Sequence, residues 1–184
     1  MSNAEDREAR SVTVLDYLPH GRPDDDRPQY QKPSLAHAVG WETFQIVECV
    51  LADDTEVSIG DTTDIDSTDI EEVRDIGFDD LTAGARSEIE YAIKSIIASD
   101  EQRFVDHYND AQPITLRLHQ LNLLPGIGKK LRNNILEERK RRPFDSFEDI
   151  EERVSGLHNP QDVLVKRIQE EIREDDLKYR SFVR

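Results

Sequence analysis

Cysteine is nearly absent from this chain: among 184 residues there is one, Cys49, with a single methionine and a single tryptophan. A lone cysteine excludes an intramolecular disulfide and a cysteine-based zinc cluster. Cys49 lies in an apolar run and reads as a small core residue. No stretch approaches the roughly 20 apolar residues that a membrane-spanning helix needs. Met1 to Arg10 are polar and lack the apolar centre of a signal peptide. The expectation is a cytoplasmic protein with no membrane partner. Lysine is also scarce, 7 against 17 arginines, while 22 aspartates and 18 glutamates bring the formal net charge to −16. An Asp-rich, Lys-poor surface suits concentrated salt, where the Debye length falls to about 3 Å at 1 M and self-repulsion is screened. A halophilic protein is therefore expected, an acidic protein of ordinary cytosol being the alternative. With 36% hydrophobic and 35% charged residues, the core is lean, enough for one compact domain or two small ones.

The charges that are present are unevenly placed. Residues 1–114 hold 9 basic and 27 acidic side chains, residues 115–142 hold 8 basic and 2 acidic, and residues 143–184 hold 7 and 11. One basic island in an acidic protein marks a location.

Up to about residue 78 the chain reads as short strands. Val12, Val14 and Leu18 recur mostly at even spacing, as do Phe44, Ile46 and Val50, and then Val57 and Ile59. Turn chemistry separates the runs at Pro19-His20-Gly21, Asp24 to Pro28, Ala52-Asp53-Asp54 and Ile59-Gly60-Asp61. A small antiparallel sheet or barrel follows from this pattern. Next, Leu81, Ala85, Ile89, Ala92, Ile93, Ile96 and Ile97 recur at three and four, which predicts a helix from about Asp80 to Ser99. A shorter helix around Phe104 to Tyr108 is stopped by Pro113.

Residues 121–136 read L-N-L-L-P-G-I-G-K-K-L-R-N-N-I-L. Leu121 and Leu124 end a first helix, and Pro125 breaks it. Gly126 and Gly128 permit a tight turn or a close approach to the backbone, and Ile127 plugs the space between the helices. Leu131 and Ile135 continue on a second helix. Its first amides, around Gly128 to Lys130, have no partner within the helix and carry the positive end of its dipole, so they suit an anion such as a phosphate. Lys129, Lys130 and Arg132 stand beside them, and Arg139, Lys140, Arg141 and Arg142 add cations at the helix end. A tight turn whose glycines serve packing alone is the plainer reading, but the two lysines and the apolar residue between two glycines favour phosphate binding.

A degenerate copy follows. Ser146 suits the N-cap of a short helix, with Asp149 at its third position and Phe144 and Ile150 as a staple. Val154-Ser155-Gly156-Leu157-His158 repeats Leu124-Pro125-Gly126-Ile127-Gly128, with His158 in place of the second glycine. Asn159, Pro160 and Asp162 then open another helix, for which Val163, Val165, Ile168 and Ile172 form the buried stripe. The lost glycine and the single Lys166-Arg167 pair make this copy a packing partner more than a second phosphate site.

The runs P-I-T-L-R-L-H-Q-L-N-L-L-P-G-I-G-K-K and P-F-D-S-F-E-D-I-E-E-R-V between Pro113 and Val154, with D-L-T-A-G-A-R-S-E-I-E at Asp80 to Glu90, resemble the archaeal domain of unknown function 655 family, whose members are described as nucleotide- or RNA-binding. The resemblance spans roughly residues 10–175. It implies an OB-like barrel followed by two helix-hairpin-helix motifs. It also implies an archaeal protein encoded near ribosomal and rRNA-methylation genes. On that ground RNA is favoured over DNA, since no residue here chooses between them.

Other features carry less. The histidines His20, His37, His107, His119 and His158 share no metal-ligand spacing. The acidic clusters Asp24 to Asp26 and Asp61 to Asp69 read as solvated loops rather than Mg²⁺ sites. No Walker loop is present, and G-I-G lacks the preceding βα unit of a dinucleotide fingerprint. Phe44 reads as core, while Trp41 and Tyr30 stay open between core and base stacking. The expected fold is therefore α+β: a disordered N-terminus at 1–10, an OB-like antiparallel β-barrel at 11–78, a helical connector at 79–112, a tandem helix-hairpin-helix domain at 113–175 and a tail at 176–184. The expected function is non-catalytic, cofactor-free binding of a nucleic-acid backbone through Pro125, Gly126, Ile127, Gly128, Lys129, Lys130, Arg132 and Arg139 to Arg142. A DNA-repair accessory or a protein-interaction scaffold is the alternative, and ribosomal or other basic proteins are candidate partners for the acidic barrel.

Overall fold

The computed structural model describes residues 10–184; apart from Arg10, the expected disordered N-terminus lies outside them. The architecture is mixed α+β, a five-stranded antiparallel sheet curled into a half-barrel and followed by five helices. The strands are β1 (Ser11–Leu18), β2 (Leu35–Gly40), β3 (Ile46–Leu51), β4 (Thr62–Asp64) and β5 (Ile70–Asp75), in the order β4-β1-β2-β3-β5. The sheet is open, with β4 and β5 as its edges.

The period-two pattern of β1 places Val12 and Val14 in a core with Ala36, Ala38, Val47, Cys49 and Leu51. Burial pushes the Cys49 thiol up to about 11, with Glu48 adding to the effect, so the cysteine is an inert core residue as expected. Three strands were not marked by the sequence pattern. β2 carries one β-branched residue, Val39, among alanines and a histidine, and it pairs with β3 in a register that sets His37 opposite Glu48. His37 Nε2 lies 3.1 Å from Glu48 Oε2, and Arg22 Nε donates to the same oxygen at 2.6 Å. β4 and β5 emerge from and beyond the stretch read as an acidic loop; β5 is exposed from Glu71 to Asp75, so it carries little apolar signal. Val57 and Ile59, conversely, lie in a loop that turns at Gly60, and Ile59 is exposed. Phe44 is fully buried, as expected, in the β2–β3 connection; Trp41 is half-buried and donates from Nε1 to Thr13 Oγ1 at 2.8 Å; Tyr30 is exposed.

The helices are α1 (Ala83–Ser99), α2 (Glu101–Asp110), α3 (Lys129–Arg141), α4 (Phe147–Arg153) and α5 (Pro160–Arg173). α1 begins where Thr82 Oγ1 accepts from the Ala85 amide at 3.0 Å, and its buried residues are those marked by the spacing of three and four. The chain forms two compact units, one running through Ala92 and rejoined by Phe182–Arg184, the other spanning Ile93–Ser181. The division falls within α1. In the second unit Ile135, Ile150, Leu164 and Ile168 are fully buried. Ser146 caps α4, accepting from the Asp149 amide at 3.0 Å, while the Asp149 carboxylate accepts from Asp145 one residue before the cap.

Two details of α5 depart from expectation. Asn159 adopts the left-handed conformation (φ 48°) and makes no side-chain cap; its carbonyl accepts the Asp162 amide instead. Val163 is only half-buried, and Leu164 takes its place in the core.

Candidate functional site

The basic island folds around one short turn. The first helix expected there is only a four-residue 3-10 segment, Gln120–Leu123, entered through His119. His119 Nδ1 accepts from the Leu121 amide at 3.0 Å, and a bridge between Pro113 and His119 pins the preceding loop, so a full α-helix has no room to form. Leu121, Leu124 and Ile127 are buried while Pro125, Gly126 and Gly128 are exposed. The Ile127 amide closes the turn on the Leu124 carbonyl at 3.2 Å. Burying Ile127 stabilises the turn by about 2 kcal/mol and leaves the backbone on either side of it facing solvent.

The two glycines do different work. Gly126 has φ +80°, a conformation that costs an L-residue free energy. Gly128 is extended (φ −89°, ψ −167°) and is the N-cap of α3. At both positions a Cβ would meet nothing within 4 Å, so neither glycine is demanded by neighbouring protein atoms. Gly128 supplies no capping side chain, and the first-turn amides of α3 are left to solvent or ligand.

Asn122 is the hub that the sequence reading passed over. Its Nδ2 donates to the Ile127 carbonyl at 3.2 Å, and its Oδ1 accepts from the His119 amide at 3.2 Å and Arg132 Nη1 at 3.1 Å. The signal was present in L-N-L-L: one amide side chain, able to donate and accept, inside an apolar run.

The cations divide into two sets. Lys129, Lys130 and Lys140 are exposed, and no ion pair engages them among the described residues. Arg132 is half-buried and held by Asn122. Arg139, expected on the binding face, is turned inward. Its Nη1 donates to the Tyr108 and Ala111 carbonyls at 3.1 and 2.9 Å, because the C-terminal end of α2 leaves those carbonyls unpaired. Burial lowers the Arg139 guanidinium from its ordinary value. Arg141 and Arg142 are exposed and lie 3.4 Å from Glu138 and 3.3 Å from Asp149. Arg153 fastens the end of α3, donating to the Glu138 and Arg142 carbonyls at 2.6 and 2.7 Å.

The second copy has the same turn with different surroundings. Val154 and Leu157 are buried, Gly156 has φ +88°, and the Leu157 amide bonds the Val154 carbonyl at 3.2 Å. A Cβ on Gly156 would meet Leu131 Cδ2 at 3.3 Å. One extra residue separates this turn from its helix, and Pro160 at the first helical position offers no amide. Arg167 is buried, 3.4 Å from Glu171 and donating to the Tyr179 carbonyl at 2.7 Å. Among the described residues no group of three His, Cys, Asp or Glu side chains is placed to hold a metal, and no helix is long and apolar enough to cross a membrane.

The family model described as "Protein of unknown function (DUF655)" matches residues 8–184. The chain belongs to that family. It is 36% identical over 177 residues to the uncharacterised protein MJ0038 of Methanocaldococcus jannaschii, a match covering 93% of this chain and 78% of that protein. It is also similar to the crystal structure of Af1531 from Archaeoglobus fulgidus, assigned to the same family, with TM-score 0.87 and 40% identity over 95% of this chain and 99% of that one.

Proposed function

We propose that this protein is a non-catalytic nucleic-acid binder whose turn at residues 124–130 cradles the sugar-phosphate backbone as a helix-hairpin-helix motif. The observation that carries the reading is the open space at Gly126 and Gly128, beside the first amides of α3 and the exposed Lys129 and Lys130. Gly128, which neither its extended backbone nor a neighbouring atom requires to be glycine, stands where backbone donors meet solvent, which suits the close approach of a phosphate oxygen. The contact set is Pro125 to Lys130 with Lys140, Arg141 and Arg142 at the rim; Arg132 and Arg139 position the motif from within. The curled sheet is read as an OB-like half-barrel, and its acidic surface as an adaptation to high salt. RNA is favoured over DNA only on the family resemblance.

The test is an anisotropy titration of the intact protein with single-stranded and duplex RNA and DNA, alongside Gly128→Val. The backbone at Gly128 accepts any residue, so the variant folds while its side chain occupies the phosphate position. Unchanged affinity in the folded variant refutes the cradle. No binding by either protein leaves the scaffold reading.

A further inference from the structure

Leu116 is the most exposed large apolar side chain among the described residues, at 106% of its reference area. A single surface leucine needs no explanation; the backbone that presents this one does. Residues 113–119 form a tight loop, bridged at its base between Pro113 and His119. The Ile114 and Thr115 amides both bond the Leu118 carbonyl, at 2.7 and 2.9 Å, and Thr115 Oγ1 accepts from the Arg117 and Leu118 amides at 3.2 and 3.0 Å. Four hydrogen bonds within seven residues hold the loop that carries Leu116 and the exposed Arg117 at its apex. The base of the loop is wired to the glycine turn, since Asn122 joins the His119 amide to the Ile127 carbonyl. Only the four residues Gln120–Leu123 intervene, and at about 2 Å rise per residue they span about 8 Å, the length of two or three base steps.

We propose that Leu116 is an apolar wedge that enters a base step next to the phosphates held by the glycine turn, with Arg117 on the adjoining backbone. Leucine is among the side chains that unstack and kink a duplex in this way. A rigid loop suits the task, because its backbone has little conformational entropy left to lose when the side chain enters. This inference rests on the turn being a nucleic-acid site, and it narrows the ligand to a duplex with a step that can be opened.

The experiment uses the full chain with RNA and DNA duplexes carrying 2-aminopurine at a central step, whose fluorescence rises on unstacking. Wild-type protein is expected to bind and raise the signal. Leu116→Ala, at a position that buries nothing in the fold, is expected to bind about tenfold more weakly and leave the signal flat, while Leu116→Met restores the rise. A Leu116→Ala complex as bright as wild type overturns the wedge and leaves the phosphate cradle standing. A bound wild-type complex with a flat signal also overturns it. If wild type binds none of the duplexes, the cradle fails and the wedge falls with it.

Discussion

The two glycine turns of the second unit share one backbone and differ in what surrounds it. Leu124 to Gly128 and Val154 to His158 bury matching residues and close with matching 3.2 Å hydrogen bonds, and both place their first glycine at positive φ. In the first turn the glycine faces open space; in the second it faces Leu131, a side chain of the first motif's own helix. The first helix starts with Lys129 and Lys130 and free amides, the second with a proline and a left-handed asparagine. The turn geometry is thus a packing solution that both copies use. On the proposed reading, what would make one copy a binding site is the space and the donors left beside it.

Acid should separate the two copies most. Burial, with the nearby charge of His119 adding to it, lowers the His107 imidazole from its ordinary 6.5 to about 4. Burial first, then Arg139 and Arg132, lower His119, whose Nδ1 must stay unprotonated to accept the Leu121 amide. The unfolded chain therefore binds more protons than the folded one between these values. Stability is full above about 6.5 and is lost as pH falls toward about 4, by up to about 3 kcal/mol from His107. Thermal melts of wild type and His107→Asn across this window check it, with amide exchange rising at Leu121 before Leu157. Equal loss in both proteins contradicts it.

Gly128→Val should reduce nucleic-acid affinity about 100-fold, the worth of roughly two charge-assisted hydrogen bonds, while His158→Val at the matching position changes nothing. Anisotropy on both variants decides whether the copies differ in function at all. Gly156→Ala should do the reverse. Its φ of +88° and the 3.3 Å approach of Leu131 predict a loss of about 1–2 kcal/mol in denaturant melts, with affinity unchanged in the folded fraction.

The smallest effect is expected from the lysines in concentrated salt. Each phosphate neutralised by a cation contributes a slope of roughly −0.7 to −0.9 in log affinity against log salt. Four of the island's cations, Arg117, Lys129, Lys130 and Lys140, are exposed with no ion pair among the described residues, so the slope should correspond to about three or four contacts. Lys129→Ala with Lys130→Ala should flatten it by about 1.5 while barely altering binding at high salt, where neutral amides remain. A salt series steep enough for about eight contacts would mean that charge alone binds.

The elements whose cause is local were legible in the residues alone. Isoleucines and alanines at three and four specified α1, Ser146 and Pro160 marked helix starts, and L-L-P-G-I-G-K-K specified a buried plug between two exposed glycines. These follow from periodicity, caps and backbone freedom, which neighbours along the chain decide. The sequence also separated the intact glycine turn from the degenerate one. The rest depends on contacts between residues distant in the chain. β2 and β5 are strands because partners supply their ladder hydrogen bonds, not because their residues favour strands: β2 is alanine-rich, and β5 is charged and exposed along nearly its whole length. The same holds for the cations. Arg139 and Lys140 are adjacent and equally basic in sequence, yet one answers two buried carbonyls and the other faces water. Which of them is available to a ligand depends on carbonyls 28 and 31 residues away in the chain, a relation that exists only once α2 and α3 have packed.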